Sequence, residues 1–348
     1  MSGVRAYFID RGIGETRGVV TLDGRPERLL IARDGEPQPL LLGARSVARV
    51  RSVEKAIGAA FLDLPGGGEA MLSLRQDETP PVRGASVEVE IRTEPRHGKL
   101  ATVRLIGEAT GEPRLLEPAP TIEAELSALA KDGKLVEGFG AREAAEAAQA
   151  EALETVHALP GGGNIAIEPT RALISIDVDL GGRPGSDTKS AARKANLTAL
   201  GMSARLLRLK GLGGLVIFDL VGRGHDGKAI DGAARAAFGP DNPGVAIDKI
   251  SRFGTLTLTV PRRRRPVLDL LLDDSGALTP VSAALALVRA MEREGRASPG
   301  GRLTALCAPA VLAAFESYRA ALTDRLGARF SVEAREGWSS DRFEVIAR

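Results

Sequence analysis

Three carboxylates in two short apolar runs are the residues of this chain best suited to chemistry. Ile174-Ser-Ile-Asp177-Val-Asp179-Leu and Leu212-Gly-Gly-Leu-Val-Ile-Phe-Asp219-Leu each read as a buried strand of β-branched and apolar residues that carries an acid at or near its end. Burying an unpaired carboxylate costs on the order of several kcal/mol unless a cation or hydrogen-bond donors offset it. One helix's worth of sequence, passing through Asn196, Arg205 and Arg208, separates the runs. A right-handed crossover of that length lets the two strands lie side by side and parallel, so that Asp177 meets Asp219. Oxygen ligands from neighbouring strands, with the rest of the shell left to water and phosphate, suit Mg²⁺ or Mn²⁺. Either acid alone reads as a strand cap or an arginine partner; the two together favour a metal.

The elements that must position these acids carry a wider pattern. Pro160-Gly-Gly-Gly-Asn-Ile-Ala-Ile-Glu-Pro-Thr170 leads into the first acidic run, and Asn196-Leu, Arg205-Leu-Leu-Arg-Leu, Leu212-Gly-Gly-Leu, Asp219 and Ile250-Ser-Arg-Phe-Gly254 follow. In order and spacing this resembles the catalytic core of the ribonuclease E/G family. The resemblance implies an endoribonuclease that hydrolyses single-stranded RNA to 5′-phosphate and 3′-hydroxyl products, in RNA processing or decay. It also implies Mg²⁺, with Mn²⁺ as the other candidate, held by Asp177 and Asp219. Where the family pattern has Asn, two residues after the first aspartate, this chain has Asp179, which either tightens metal binding by adding charge or disturbs the first ligand. The implied fold is an OB-type S1 barrel inserted near the N-terminus, an RNase H-like or DNase I-like α/β catalytic core, and a small C-terminal α/β domain.

Composition alone suggests none of this. The chain has 348 residues and an apolar fraction of 43%, enough for several cores. Lys and Arg number 47 against 45 Asp and Glu, a formal charge of +2, so any affinity for nucleic acid must come from local patches. The single Cys307 excludes an intrachain disulfide framework, and with the N-terminus and the lack of a long apolar run it gives a cytoplasmic, membrane-free expectation.

Residues 1–36 alternate strand signals with Asp/Gly turns and read as strands packing on the core. Residues 37–108 hold five short strand signals with Gly/Pro punctuation, the mark of a small closed barrel. The segment resembles an S1 domain, in which bases stack on exposed rings and cations follow the backbone. Phe61 matches one stacking position of that family, Met71 stands where the second aromatic is expected, and Lys99 and Arg96 can contact phosphate. Core filling by Phe61 is the competing reading.

Residues 109–159 read as a linker, Pro118-Ala-Pro120, and an Ala/Glu-rich helix from Ala141. The family's long insert with a 5′-monophosphate sensor has no room there. In the catalytic segment, 160–275, His225 sits in a basic Gly/Arg loop where an acid/base role competes with a merely solvated one. Arg252, and the run Arg262, Arg263, Arg264 and Arg265 between prolines, read as contacts to an RNA backbone. Residues 276–348 resemble the family's small domain, a candidate homo-oligomer contact, but lack the Cys motif that would supply zinc ligands between subunits; no structural zinc is expected. The alternative function is a non-catalytic RNA-binding protein or adaptor on the same scaffold.

Overall fold

Alternation of buried and half-exposed residues builds the first sheet. The structure is a computed structural model that describes residues 3–75, 79–96, 98–130, 133–181 and 188–348. Strands β1 (Arg5–Arg11), β2 (Glu15–Leu22) and β3 (Arg25–Arg33) form an antiparallel meander. One face turns Val19 and Leu29 into the core shared with residues 145–271, while Tyr7, Ile9 and Val20 face the other way.

The barrel follows. Strands β4 (Arg45–Glu54), β5 (Ala59–Asp63), β6 (Glu69–Ser73), β7 (Ser86–Thr93) and β8 (Ala101–Glu108) close in the order β4-β5-β6-β8-β7-β4, with β6 and β8 parallel, an OB-type arrangement. Its interior is filled by small and aliphatic residues such as Val50, Ala60, Leu62, Val89 and Ile91.

The segment after the barrel is more structured than a linker. Strand β9 (Arg114–Glu117) adds to β4. Helix α1 (Ile122–Ala130) buries Ile122 and Leu126 against the first sheet, and β10 (Leu135–Val136) pairs with β1. Ile122 and Leu126 lie one turn apart, too short a stripe to stand out in sequence. Gly18 makes the contact fit, because a Cβ there would come within 2.5 Å of Ile122. Helix α2 (Phe139–Leu153) then buries an alanine face.

Residues 156–260 form a mixed sheet with its covering helices. It comprises β11 (Val156–Ala158), β12 (Asn164–Pro169), β13 (Ile174–Asp179), helix α3 (Thr188–Lys210), β14 (Gly214–Asp219), helix α4 (Gly227–Phe238), β15 (Ala246–Ile247) and β16 (Thr255–Val260). Strand order is β11-β12-β13-β14-β16-β15, and only the pair joined through α3, β13 with β14, is parallel. Ala195, Ala199 and Leu206 of α3 share one core with Ile174, Ile176, Val178, Val216 and Phe218.

After a short helix α5 (Val267–Leu271) comes the last unit: α6 (Pro280–Ala297), β17 (Leu303–Cys307), α7 (Pro309–Leu326), β18 (Phe330–Ala334) and β19 (Phe343–Ala347). The sheet runs β18-β17-β19 over a core that includes Leu287, Met291, Phe315 and the buried Cys307, whose thiol is pushed up by burial.

A buried ionic network joins these units. Arg17 on β2 donates to Asp10 on β1 at 2.5 Å, and Arg142 on α2 donates to Asp10 at 3.3 Å and to Glu292 on α6 at 2.8 Å. Arg289 donates to Glu15. Among the described residues no helix is long and apolar enough to cross a membrane.

Candidate active site

Strand β13 is buried on one side only. Ile174, Ile176 and Val178 point into the core, so Asp177 and Asp179 fall on the opposite, exposed face together with Asp219 of β14. The expectation of acids on a buried strand is corrected here: the strict alternation of Ile-Ser-Ile-Asp-Val-Asp already carries a period of two, which half-exposes the strand. The juxtaposition itself holds. Asp177 and Asp219 are register partners across the parallel β13–β14 pair.

Asp177 is flanked by Ala166 on β12, Asp179 by Asn164, and Asp219 by Thr255 on β16. Among the described residues neither Asp177 nor Asp219 accepts a hydrogen bond or joins an ion pair from a side chain. Two neighbouring carboxylates with free oxygens repel each other, and a divalent cation is the simplest group to relieve that. The donor set therefore fits Mg²⁺ or Mn²⁺ with most of the shell left to water and phosphate. No group of three or more His, Cys, Asp or Glu converges on a metal position among the described residues. Asp179 is occupied locally, since its Oδ1 accepts from the Gly181 N–H at 3.0 Å and caps the strand end.

Asn196, which sequence reading placed on the crossover helix and in the family pattern without a role, fixes the acid-bearing strand end. Its side chain is 1% exposed, donates to the Val221 carbonyl at 3.0 Å and accepts from the Val221 N–H at 3.1 Å. A buried amide that satisfies both groups of one peptide unit holds the chain just beyond Asp219 against α3. A polar residue in an otherwise alanine- and leucine-rich helix face was the signal.

The four arginines after β16 meet different fates. Arg262 Nε donates to the Gly213 carbonyl at 2.8 Å, and a Cβ on Gly214 (φ +110°) would collide with the same guanidinium, which accounts for the glycine that opens β14. Arg264 pairs with Glu125 of α1, and Arg265 pairs with Glu36 at 2.5 Å. Backbone bonds from Glu94 N–H to the Arg263 carbonyl and from Arg265 N–H to the Glu94 carboxylate, each 2.8 Å, lock the barrel onto this run. Arg263 alone of the four is exposed. Much of the run is thus a clasp between the barrel, the first sheet, helix α1 and the sheet that contains β14 and β16.

In the barrel, Phe61 points outward, between inward-facing Ala60 and Leu62, and its register partner on β6 is Met71. The reading of Phe61 as core filler is set aside by that orientation. Lys99 is exposed, whereas Arg96 is partly buried in the same turn, joined to Lys99 by backbone bonds of 3.1 and 2.7 Å. Arg252 is exposed, with its guanidinium 4.7 Å from the centre of the Phe253 ring.

Residues 115–265 match the model of the Ribonuclease E/G family. The chain is 37% identical to ribonuclease E of Haemophilus influenzae over 107 residues, which cover 30% of this chain and 11% of that protein. It is 30% identical to a chloroplastic ribonuclease E/G-like protein of Arabidopsis thaliana over 122 residues, 33% of this chain and 12% of the relative. With ribonuclease G of Salmonella typhimurium the identity is 24% over 209 residues, 56% of this chain and 43% of that protein. The chain thus spans about a tenth of the ribonuclease E relative and less than half of the ribonuclease G relative. The segment that carries Asp177, Asp219 and Arg252 is thus similar to the ribonuclease E/G family.

Proposed function

We propose that the protein is a metal-dependent endoribonuclease acting on single-stranded RNA in the cytoplasm. The observation that carries the reading is the register pairing of Asp177 with Asp219 on an exposed sheet face, both free of cationic partners among the described residues. Asp177 and Asp219 would hold Mg²⁺ or Mn²⁺, which supplies activation of water and charge relief at the scissile phosphate when bound. Asn196 keeps the end of β14 in place, so the two carboxylates present their oxygens without rearrangement. Outward-facing Phe61, with Lys99 and Arg96, offers the strand a stacked base and phosphate contacts, and Arg252, Arg262 and Arg263 extend that basic path. Hydrolysis would leave a 5′ phosphate and a 3′ hydroxyl. The small C-terminal unit is the candidate contact between copies.

A non-catalytic RNA-binding protein is the second reading. Asp179 at the family's Asn position and Met71 at its second aromatic support it. One experiment separates the two. A labelled AU-rich single strand is incubated with the protein in Mg²⁺, in Mn²⁺ and in EDTA. Cleavage that depends on the cation supports the enzyme; binding without cleavage in any condition replaces it with the second reading.

A further inference from the structure

An open cleft of about 1030 Å³ lies beyond the acid-bearing strand ends, between the loop after β14, the start of α4 and the turn before β16. Arg223, His225, Arg235, Lys249, Arg252 and Phe253 are among its lining residues. The most unusual of them is Phe253, whose side chain is 75% exposed. A large ring held in water loses the hydrophobic gain of burial, and beside a basic surface it offers a stacking face to a base.

The ring is fixed by its turn. Ser251 Oγ accepts from the Phe253 N–H and the Thr255 N–H, each at 3.2 Å, and the Gly254 N–H donates to the Ser251 carbonyl at 3.1 Å. Gly254 takes a positive φ of 86°, and a Cβ on it would approach His225 Nε2 to 3.2 Å, so the glycine lets the histidine ring lie against the turn. The Leu220 N–H donates to the Gly254 carbonyl at 3.3 Å, tying the turn to the residue after Asp219. The backbone that carries Phe253 is therefore held two residues before Thr255, the register partner of Asp219.

The surroundings are complementary to a nucleotide. Arg252 covers one face of the ring, and among the described residues Arg223, Lys249 and Arg252 join no ion pair. Arg235 is paired with Asp231. Among the described residues His225 Nε2 is buried and without a hydrogen-bond partner, although the residue lies in a loop that would ordinarily solvate it.

We propose that this cleft is a nucleotide subsite in which Phe253 stacks one RNA base adjacent to the phosphate at Asp177 and Asp219. Arg223 and Lys249 neutralise the neighbouring phosphates. The proposal rests on the endoribonuclease reading and adds a base contact at the sheet, separate from the one at Phe61.

The test is an abasic scan. A short single-stranded RNA is bound in EDTA, to prevent cleavage, and one nucleotide at a time is replaced by an abasic unit. In the wild-type protein an abasic unit at the Phe253 position should lower affinity about tenfold, within the range for loss of one stacked base. Phe253→Ala should bind the intact strand about tenfold more weakly and become insensitive at that position alone, while Phe253→Tyr retains the wild-type pattern. Phe61→Ala should erase sensitivity at a different position. A wild-type scan that Phe253→Ala leaves unchanged overturns the subsite and leaves the endoribonuclease reading standing. Failure of the wild-type protein to bind RNA overturns both.

Discussion

Asp177 and Asp219 on one side, and Asp10, Glu15 and Glu292 on the other, are the same chemical groups in opposite settings. The second set is buried, and every member meets a guanidinium: Asp10 meets Arg17 and Arg142, Glu15 meets Arg289, and Glu292 meets Arg142 and Arg325. The first set is exposed, adjacent and free of side-chain cations among the described residues. Buried acids need partners to fold at all, because an unpaired buried charge is strongly destabilising. Exposed acids left facing each other tolerate like-charge repulsion that folding has no use for. Acids that hold the molecule together are thus distinct from acids left open on the surface.

The largest effect expected from this contrast is on turnover. Asp177→Asn or Asp219→Asn should reduce cleavage by at least about ten-thousandfold, about 5.4 kcal/mol in barrier. Thermal stability should shift little, since each acid is exposed and unpaired. Single-turnover cleavage and a melting curve on the same variants check both halves, and an active Asp219→Asn enzyme would break the assignment.

The reverse pattern is expected in the network. Arg142→Ala removes the guanidinium shared by Asp10 and Glu292 and should cost about 3 kcal/mol of stability. Burial raises the Asp10 carboxyl, but the hydrogen bonds and charges of Arg17 and Arg142 outweigh it and leave the pKa below its ordinary value. Its contribution is then present above about pH 4 and lost as pH falls through the folded-state value. Denaturant unfolding at neutral and acidic pH should show the gap between wild type and Arg142→Ala narrowing in acid.

A smaller effect divides the arginine run. Arg264→Ala breaks a half-buried pair with Glu125 and should cost about 1 kcal/mol of stability. Arg263→Ala should leave stability unchanged and flatten the salt dependence of RNA binding by roughly 0.7 in log-log slope if it contacts one phosphate. Equal behaviour of the two variants would dissolve the distinction between clasp and RNA contact.

The smallest effect concerns Asp179. Asparagine keeps the oxygen that accepts from Gly181, so Asp179→Asn should hold stability within about 0.5 kcal/mol. A Mg²⁺ titration of cleavage rate reads whether the lost charge reaches the metal. An unchanged titration would assign Asp179 to the strand cap alone.

Much of the site was legible because it rests on local pattern. Two apolar runs ending in Asp, one helix apart, dictate a parallel pair with the acids in register, and the five strand signals of residues 37–108 dictate a small barrel. What sequence reading misjudged was exposure. The apolar residues of 174–179 suggested a buried strand, although their alternation gives one buried face and one open one. The helix α1 and the strand β9 were hidden by brevity, since a few apolar residues do not establish a period.

The sequence by itself determined which residues share a strand face, because side chains alternate along an extended backbone whatever packs around it. It determined the crossover that pairs Asp177 with Asp219, through the handedness of strand–helix–strand units. Only the tertiary structure decided which charges are spoken for. Glu36, Glu94 and Glu125 come from three distant segments to meet Arg264 and Arg265, and Asn196 reaches Val221 across the crossover. Pairing of that kind depends on distance in space, and no local pattern of residues encodes it.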